Sequence, residues 1–434
     1  MSVPVYDKYV DSGMPWVGYV PAHWQLLRLG DIASFAGGAT PSRDVPDYWN
    51  GDIPWVTAKD MKVERLASAE ESITELGLQS CATRIVPPGA LLMVVRSGIL
   101  RHTIPVALTD VPIALNQDMK ALRPAPDKVE ARFLLRWIQG FNDVLLQAWG
   151  KQGATVESLE LELLKRTVLP LPPIPEQVAI TSFLDRETAK IDALIAEQER
   201  LVALLQEKRQ AVISHAVTKG LDPDVPMKKS GVSWLGDVPA HWESTRYKNV
   251  LREKRFVSGA SLPAGAISFG RVVFKDDEAM NEATKATYQE VLSGEFLINP
   301  INLNYDLKSL RTALSDIDTC VSPAYLVLQP KVDVDLSFFR HQLTVFDIRH
   351  IKTLGAGVRQ TIGFGDIGPC RIQLPPLPEQ RAISRFVDRV TATIDGLNAE
   401  AKSVITLLRE RRSALITAAV TGQIDVRGLV EPAA

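Results

Sequence analysis

Histidine, cysteine and clustered carboxylates supply most protein chemistry, and in this sequence of 434 residues they are scattered. Six histidines (His23, His102, His215, His241, His341, His350) form no HExxH pair, so the spacing that would seat zinc on one helix face is missing. Cys81, Cys320 and Cys370 are far apart and odd in number, which fits neither a disulfide framework nor a four-cysteine zinc site. They read as buried thiols of a reduced compartment. Asp276-Asp277-Glu278 has no second acidic cluster at nuclease spacing and reads as a solvated loop. The glycine-rich run Gly355 to Gly365 has no P-loop lysine and is not GxGxxG. Asn299-Pro300 is followed by Ile301 and Asn302, where an amino-methylating enzyme needs a second proline and an aromatic to stack the extruded base. Ala36-Gly37-Gly38 follows no convincing parallel strand and makes a weak methyl-donor loop. No catalytic motif survives, and no residue is assigned as catalytic, cofactor-binding or metal-ligating.

Two of the histidines are related to each other. His23 lies in SGMPWVGYVPAHW (Ser12 to Trp24) and His241 in SGVSWLGDVPAHW (Ser230 to Trp242), nine of thirteen positions being identical at an offset of 218. Each sits in a Pro-Ala-His-Trp turn, which packing explains better than metal binding. A second pair, LPPIPEQ (Leu171 to Gln177) and LPPLPEQ (Leu374 to Gln380), recurs at an offset of 203. Each half is a variable block followed by a constant one, as a tandem duplication with diverged heads would be.

The constant blocks predict helices over Glu176 to Thr218 and Glu379 to Thr421. In the first, apolar positions recur at Phe183, Leu184, Ile191, Leu194, Leu201 and Leu205; in the second at Phe386, Ile394, Leu397, Val404 and Leu408. A helix of 43 residues runs about 65 Å, and such helices are seldom left alone in water, so each is expected to pair with the other as a coiled coil. The prolines of LPPxPEQ force extended backbone up to the helix start, and Glu176 and Glu379 then meet the helix dipole in the first turn. The motif is expected to be a rigid entry joint.

The variable blocks, Gln25 to Pro170 and Glu243 to Gln373, look α+β. Arg84 to Val95 and Glu295 to Asp306 suggest short strands broken by turns. Val129 to Gly150 predicts one helix with Phe133, Leu134, Trp137, Phe141 and Leu145 on its apolar side, and Gly30 to Met61 suits irregular loops on a small sheet. The 49 Lys plus Arg against 51 Asp plus Glu leave a net charge of −2, so no global positive field advertises a nucleic-acid binder. By block, 16 basic and 17 acidic residues give −1, and 16 and 15 give +1. No window reaches 18 uncharged apolar residues and no signal peptide is evident, so no membrane partner and a cytoplasmic location are expected.

Taken together, the two VPAHW segments, the block opening LGDIASFAGGATPSRDVPDYWNGDIPWVTAKDM, ALNQDMKALRP (Ala114 to Pro124), the two LPPxPEQ motifs and AVTGQID (Ala419 to Asp425) resemble the specificity subunit of type I restriction-modification systems, the HsdS family. The resemblance covers nearly the whole chain. It implies an α+β fold of two α/β target-recognition domains joined by two long antiparallel helices forming a coiled coil, with a pseudo-twofold internal repeat. The expected segments are 1–24 closing the pseudo-repeat, 25–170 the first target-recognition domain and 171–220 the central helix. Then come 221–242 as linker and entry motif, 243–373 the second domain, 374–422 the distal helix and 423–434 the tail.

The resemblance further implies a non-enzymatic chain that reads a bipartite, asymmetric sequence in double-stranded DNA. Its partners would be two modification subunits, which bind S-adenosylmethionine and methylate adenine N6, and restriction subunits, which use ATP and Mg2+ to translocate and cleave. No cofactor is expected in this chain. The apolar helix positions named above would form the spacer and dock the modification subunits. The first block keeps the family-like opening loop better than the second, where Lys248 to Gly265 replaces it.

Base reading needs donors and acceptors on loops, and phosphate contact needs positive or hydroxyl groups. The candidates in the first block are Thr40, Ser42, Arg43, Lys59, Arg96, Ser97, Asn116 and Gln117. In the second they are Lys248, Arg252, Lys254, Arg255, Arg271, Lys275, Asn302, Asn304, Arg359 and Gln360. Each could equally be ordinary surface. A coiled-coil adaptor whose heads bind protein or carbohydrate would share this architecture; a divergent enzyme is disfavoured by the missing constellations.

Overall fold

The computed structural model describes residues 4–151, 155–232, 234–277, 280–301, 310–351, 354 and 362–429. The chain folds as two units, Met1–Gln198 with Ser403–Ala434, and Glu199–Lys402. Each unit holds one variable block and a segment of each long helix.

In the first unit the block is closed at its base. Its entry strand, Gln25–Arg28, pairs antiparallel with its exit strand, Val168–Leu171, so the chain leaves and rejoins at one point. Between them lies a five-stranded sheet in the order Ala33–Gly37, Met119–Pro124, Leu91–Val94, Val106–Thr109 and Arg65–Leu66. All its pairings are antiparallel except the last. The run LLMV at Leu91–Val94 is apolar throughout because both its faces are covered. Leu91 and Met93 join the cluster of Phe133, Leu134 and Trp137, while Leu92 and Val94 join Val56, Ile113 and Leu115 on the other side.

The helix predicted over Val129 to Gly150 is two helices, α1 (Ala131–Gly140) and α2 (Asn142–Trp149), broken at Phe141. Thr417 Oγ1 donates to the Gly140 carbonyl at 2.8 Å, and a Cβ on Gly140 would stand 3.2 Å from Ile416 and Val420. The Asn142 side chain, turned outward by the break, accepts from the Ile104 amide. Within Gly30 to Met61, expected as loops, Trp49–Val56 is instead a strand of eight residues. It pairs with Glu71–Ile73 and Ala114–Leu115, its register shifting between Trp49 and Ile53 beside Asn50 at φ 61°.

The second unit repeats the closure: Glu243–Arg246 pairs antiparallel with Arg371–Leu374. Its six-stranded sheet runs Leu251–Glu253, Leu326–Pro330, Phe296–Ile298, Thr312–Leu314, β2 (Arg271–Phe274), β1 (Gly265–Ser268). The helix α4 (Leu336–Arg349), which follows α3 (Ile174–Lys219) in the chain, buries Phe339, Leu343 and Phe346 against Tyr247 and Phe296.

The long helices are α3, of 46 residues, and α5 (Leu377–Val420), of 44, and they pair antiparallel. In the first unit Arg412 Nε meets Asp192 Oδ1 at 2.8 Å; in the second Arg209 Nε meets Asp395 Oδ1 at 3.0 Å. These four residues are counterparts at the same 203-residue offset as the LPPxPEQ motifs, so one ion pair is made twice. Ile191 and Leu205 on α3 and Ile394, Ala401 and Ile405 on α5 form the buried seam. The helices end at Gly220 and Gly422 with φ of +76° and +72°, the left-handed cap that glycine adopts most cheaply. Among the described residues no helix is long and apolar enough to cross a membrane.

Candidate nucleic-acid interface

The LPPxPEQ motif joins each block to the helices, and its last two residues divide the work. Glu176, 6% exposed, accepts from Tyr6 Oη at 2.6 Å and Trp24 Nε1 at 2.9 Å, and meets His23 Nε2 at 2.8 Å. Glu379 holds His241 Nε2 at 2.7 Å and Trp242 Nε1 at 3.0 Å in the same way. The glutamate thus gathers the Pro-Ala-His-Trp turn, a role beyond the helix-dipole contact expected of it, and the two histidines are structural. Burial pushes the Tyr6 phenol up, and its bond to Glu176 pushes it further. Gln177 Oε1 accepts from the Glu130 amide and Gln380 Oε1 from the Asp335 amide. Glu130 and Asp335 are the residues whose carboxylates cap α1 and α4. The motif therefore fixes both the entry turn and the helix on which the head rests.

A second layer of the joint differs between units. In the first, Asp185 pairs with Arg132 and, at 2.8 Å, with Arg136, which also reaches Glu64 at 2.8 Å; Arg412 joins Glu64 at 3.1 Å. Burial alone would raise the Asp185 carboxyl, but the two arginine hydrogen bonds hold it below the usual carboxylate range. In the second unit the counterpart Asp388 accepts from Ser337 Oγ at 2.7 Å and Arg340 Nη2 at 2.8 Å, and meets His341 Nε2 at 2.9 Å. Burial pushes the His341 ring below its ordinary value against the opposing pull of Asp388. A permanently charged arginine in one joint is a titratable histidine in the other.

The candidate loops of the first block meet around the indoles of Trp49 and Trp55. Arg43 lies 3.9 Å over the Trp49 ring and 5.1 Å from Trp55, and its guanidinium grips the Glu71 carboxylate from two nitrogens. That hydrogen bond lowers Glu71, and nearby Lys59 adds to the effect. Trp49 Nε1 donates to the Ser42 carbonyl, and Thr40 is hydrogen-bonded to Gln117. Gly38 lets these loops cross, since a Cβ there would stand 2.1 Å from the Leu115 carbonyl. Thr40, Ser42, Arg43, Lys59 and Gln117 are thus brought together. The Arg96 and Ser97 amides donate to the Asp118 and Glu157 carbonyls, and Arg96 Nε lies 3.9 Å from the Asp118 carboxylate. Asn116 is buried and its side chain accepts from the Asp118 amide, so it holds the turn and is not presented to a ligand.

In the second block Lys254 is a correction. Expected as a surface cation, it has a side chain only 8% exposed, with Nζ 2.9 Å from both Glu290 and Glu295. Burial opposes its charge, but the two carboxylates outweigh that and hold the ammonium above its ordinary value. Arg252 bonds Gln329 at 3.2 Å, and Arg255, Arg271 and Lys275 are exposed. Lys248 is also exposed but sits at the block base beside Gly368. Asn302, Asn304, Arg359 and Gln360 lie outside the described residues.

The helix positions read as one stripe separate into two. Phe183, Leu184, Ile191, Leu205 and Ile394 are buried, and Phe386, Val404 and Leu408 are half-buried. Leu194, Leu201 and Leu397 are 53%, 42% and 47% exposed, and so are Leu407, which shares the apolar periodicity of the second helix, and Leu204, which was not singled out from the sequence. Among the described residues no group of three or more His, Cys, Asp or Glu could hold a metal ion.

A family model described as the type I restriction modification DNA specificity domain matches residues 21–202. The EcoR124I/EcoR124II specificity subunit of Escherichia coli is 34% identical over 204 residues, covering 47% of this chain and 50% of that subunit; in that alignment the chain spans half of its relative. The MjaIX specificity subunit of Methanocaldococcus jannaschii is 24% identical over 436 residues, covering 95% of this chain and 96% of that subunit. A chain from a solved structure concerned with complex assembly and conformational transition of the type I R-M system superposes with a TM-score of 0.65 at 18% identity, covering 92% of this chain and 98% of that one, a likeness of fold. Two heads closed at their bases on an antiparallel helix pair define a tandem recognition scaffold. Residues 21–202 carry the type I restriction modification DNA specificity domain, and over nearly its whole length the chain is similar to a type I restriction enzyme specificity subunit.

Proposed function

We propose that this chain selects the DNA site for a type I restriction-modification complex and performs no chemistry itself. Blocks 25–170 and 243–373 are the two target-recognition domains, each reading one half of a bipartite, asymmetric duplex sequence. The observation that carries this is the paired entry and exit strands of each block. A head that leaves and returns at one point, on an identical Glu-Gln joint, can diverge in its loops without disturbing what holds it.

Methyl transfer to adenine N6 from S-adenosylmethionine belongs to two modification subunits, and ATP- and Mg2+-dependent translocation and cleavage to the restriction subunits. The exposed leucines suit docking of the former. Leu194 and Leu407 fall in the first unit and Leu397 and Leu204 in the second. By the register of the Asp192–Arg412 and Arg209–Asp395 pairs, each couple lies within about one turn along the helices. One apolar patch per unit matches one modification subunit per unit. Block charges of −1 and +1 leave little bulk attraction for DNA, so much of the grip falls to those partners.

The test is to exchange residues 25–170 for the corresponding block of a relative, co-express the chain with its modification subunit and sequence the methylated adenines. One half-site should change and the other should not. An unchanged target after the exchange would overturn the assignment.

A further inference from the structure

The strands β1 and β2 form a two-residue hairpin in the second block, with Ser268 paired to Arg271 across Phe269 and Gly270. Both turn residues have positive φ, 49° at Phe269 and 74° at Gly270, the type I′ geometry that matches strand twist. That geometry selects asparagine, aspartate or glycine at its first position, because a side chain with a bulky ring is strained there. The chain places phenylalanine instead and leaves it 75% exposed. Neither folding nor solubility gains from an aromatic ring in that place, and strain kept at an exposed tip marks a contact made with something else.

The surroundings say what. The hairpin is rooted by Val272, which is buried with Val291, Leu297 and Ala313, but the ribbon meets the rest of the sheet's ladder through one residue pair, Arg271 with Leu314. One face of the ribbon packs through Val272 and Ile267, while Phe269, Val273 and Phe274 are exposed, and a two-stranded ribbon has the width that a DNA major groove admits. Next to the ring, Arg271 is exposed and has no ion-pair partner among the described residues, and Lys275 follows at the end of β2. An apolar tip flanked by exposed cations is complementary to base edges flanked by phosphates.

We propose that this hairpin is a base-reading element of the second recognition domain. Phe269 makes apolar contact with the bases of the half-site, and Arg271 anchors the ribbon on the adjoining backbone or base edge. The inference rests on the recognition role of residues 243–373 and names the mode of reading at that site.

The test uses the full chain with its modification subunit and compares Phe269→Asn with Phe269→Tyr. Asparagine suits the turn, so Phe269→Asn should melt at or above the parent temperature. It should lose about tenfold in methylation rate at the cognate site relative to sites altered in the second half-site, with the first half-site still discriminated. Phe269→Tyr, which keeps the ring, should retain most of the preference. Two substrate arms separate the contacts: uracil in place of thymine removes a methyl contact, and 2-aminopurine fluorescence reports a base step opened by a wedge. Sensitivity in either arm that disappears in Phe269→Asn supports the proposal. A Phe269→Asn complex with unchanged preference at both half-sites overturns it, even if exchange of the whole 243–373 block moves the half-site. If that exchange moves nothing, it is the recognition role of the block that fails.

Discussion

Truncating Glu176 to alanine tests whether one carboxylate fixes the entry turn to the helix pair. It leaves Tyr6 Oη and Trp24 Nε1 without their acceptor, and both residues are buried. Each unsatisfied buried donor costs about 1–3 kcal/mol, and losing a half-exposed contact to His23 adds little, so the two donors together give an expected destabilisation of about 2–6 kcal/mol. Glu379→Ala strands only Trp242 Nε1 and the exposed His241, because Asp224 stands where a counterpart of Tyr6 would be, and should cost about 1–3 kcal/mol. Glu176→Gln keeps an acceptor and should fall between the parent and the alanine variant. Urea or thermal unfolding of the full chain, with Tyr6→Phe combined in a double-mutant cycle, measures this. The Tyr6→Phe change should be costly in the parent and nearly silent beside Glu176→Ala. If both glutamates cost the same, or Tyr6 and Glu176 act additively, the anchoring argument is wrong.

Three further outcomes are expected. Leu194→Asp with Leu407→Asp should weaken binding of the modification subunit in size-exclusion or titration experiments while the unfolding midpoint stays near the parent's, since both leucines are exposed; unchanged binding would remove these residues from the interface. The folded-state pKa of His341 lies below its unfolded value of about 6.5, so the unfolded chain binds more protons there: stability is complete above that pH and is lost as pH falls through the folded value. His341→Gln should flatten the loss of melting temperature below about pH 6.5, and an identical profile in parent and variant would refute this. Adding four residues at counterpart positions of α3 and α5 should lengthen the helix pair by about 6 Å and the DNA spacer by about two base pairs, read from the methylation pattern; an unaltered spacer would show that the helices do not set it.

The repeat and the helix pair were legible because they are written in identities and periods. Two VPAHW turns, two LPPxPEQ joints and apolar positions every three or four residues need no tertiary information to be seen. What escaped depends on which side of an element another element covers. Hydropathy alone cannot tell a seam position such as Ile191 from a surface position such as Leu194: the first is buried and the second is not, although both lie on the apolar side. Lys254 reads as one more cation of the Lys248 to Arg255 cluster until Glu290 and Glu295, some 40 residues away, close on it. The break at Phe141 falls between Gly140 and Asn142, residues that favour a helix end and a helix start, while the Thr417 hydroxyl that meets the Gly140 carbonyl comes from far along the chain.

The same contrast explains how such a chain can change its target while keeping its assembly. The interactions common to both halves lie at the joint: Glu176 and Glu379 on the entry turns, Gln177 and Gln380 on the helix caps, and one ion pair between the long helices made twice. The heads meet this frame through short paired strands and one capped helix each, and beyond those points their sheets differ in strand number and order. Substitution in the distal loops is therefore thermodynamically remote from the joint, and additivity of stability effects should hold between the two. Charge follows the same division. Each head is nearly neutral, so on the proposed reading its affinity for a duplex would not rest on counterion release alone, and the Trp49–Arg43 cluster and the Phe269 hairpin are the placed contacts that the proposal offers for discrimination.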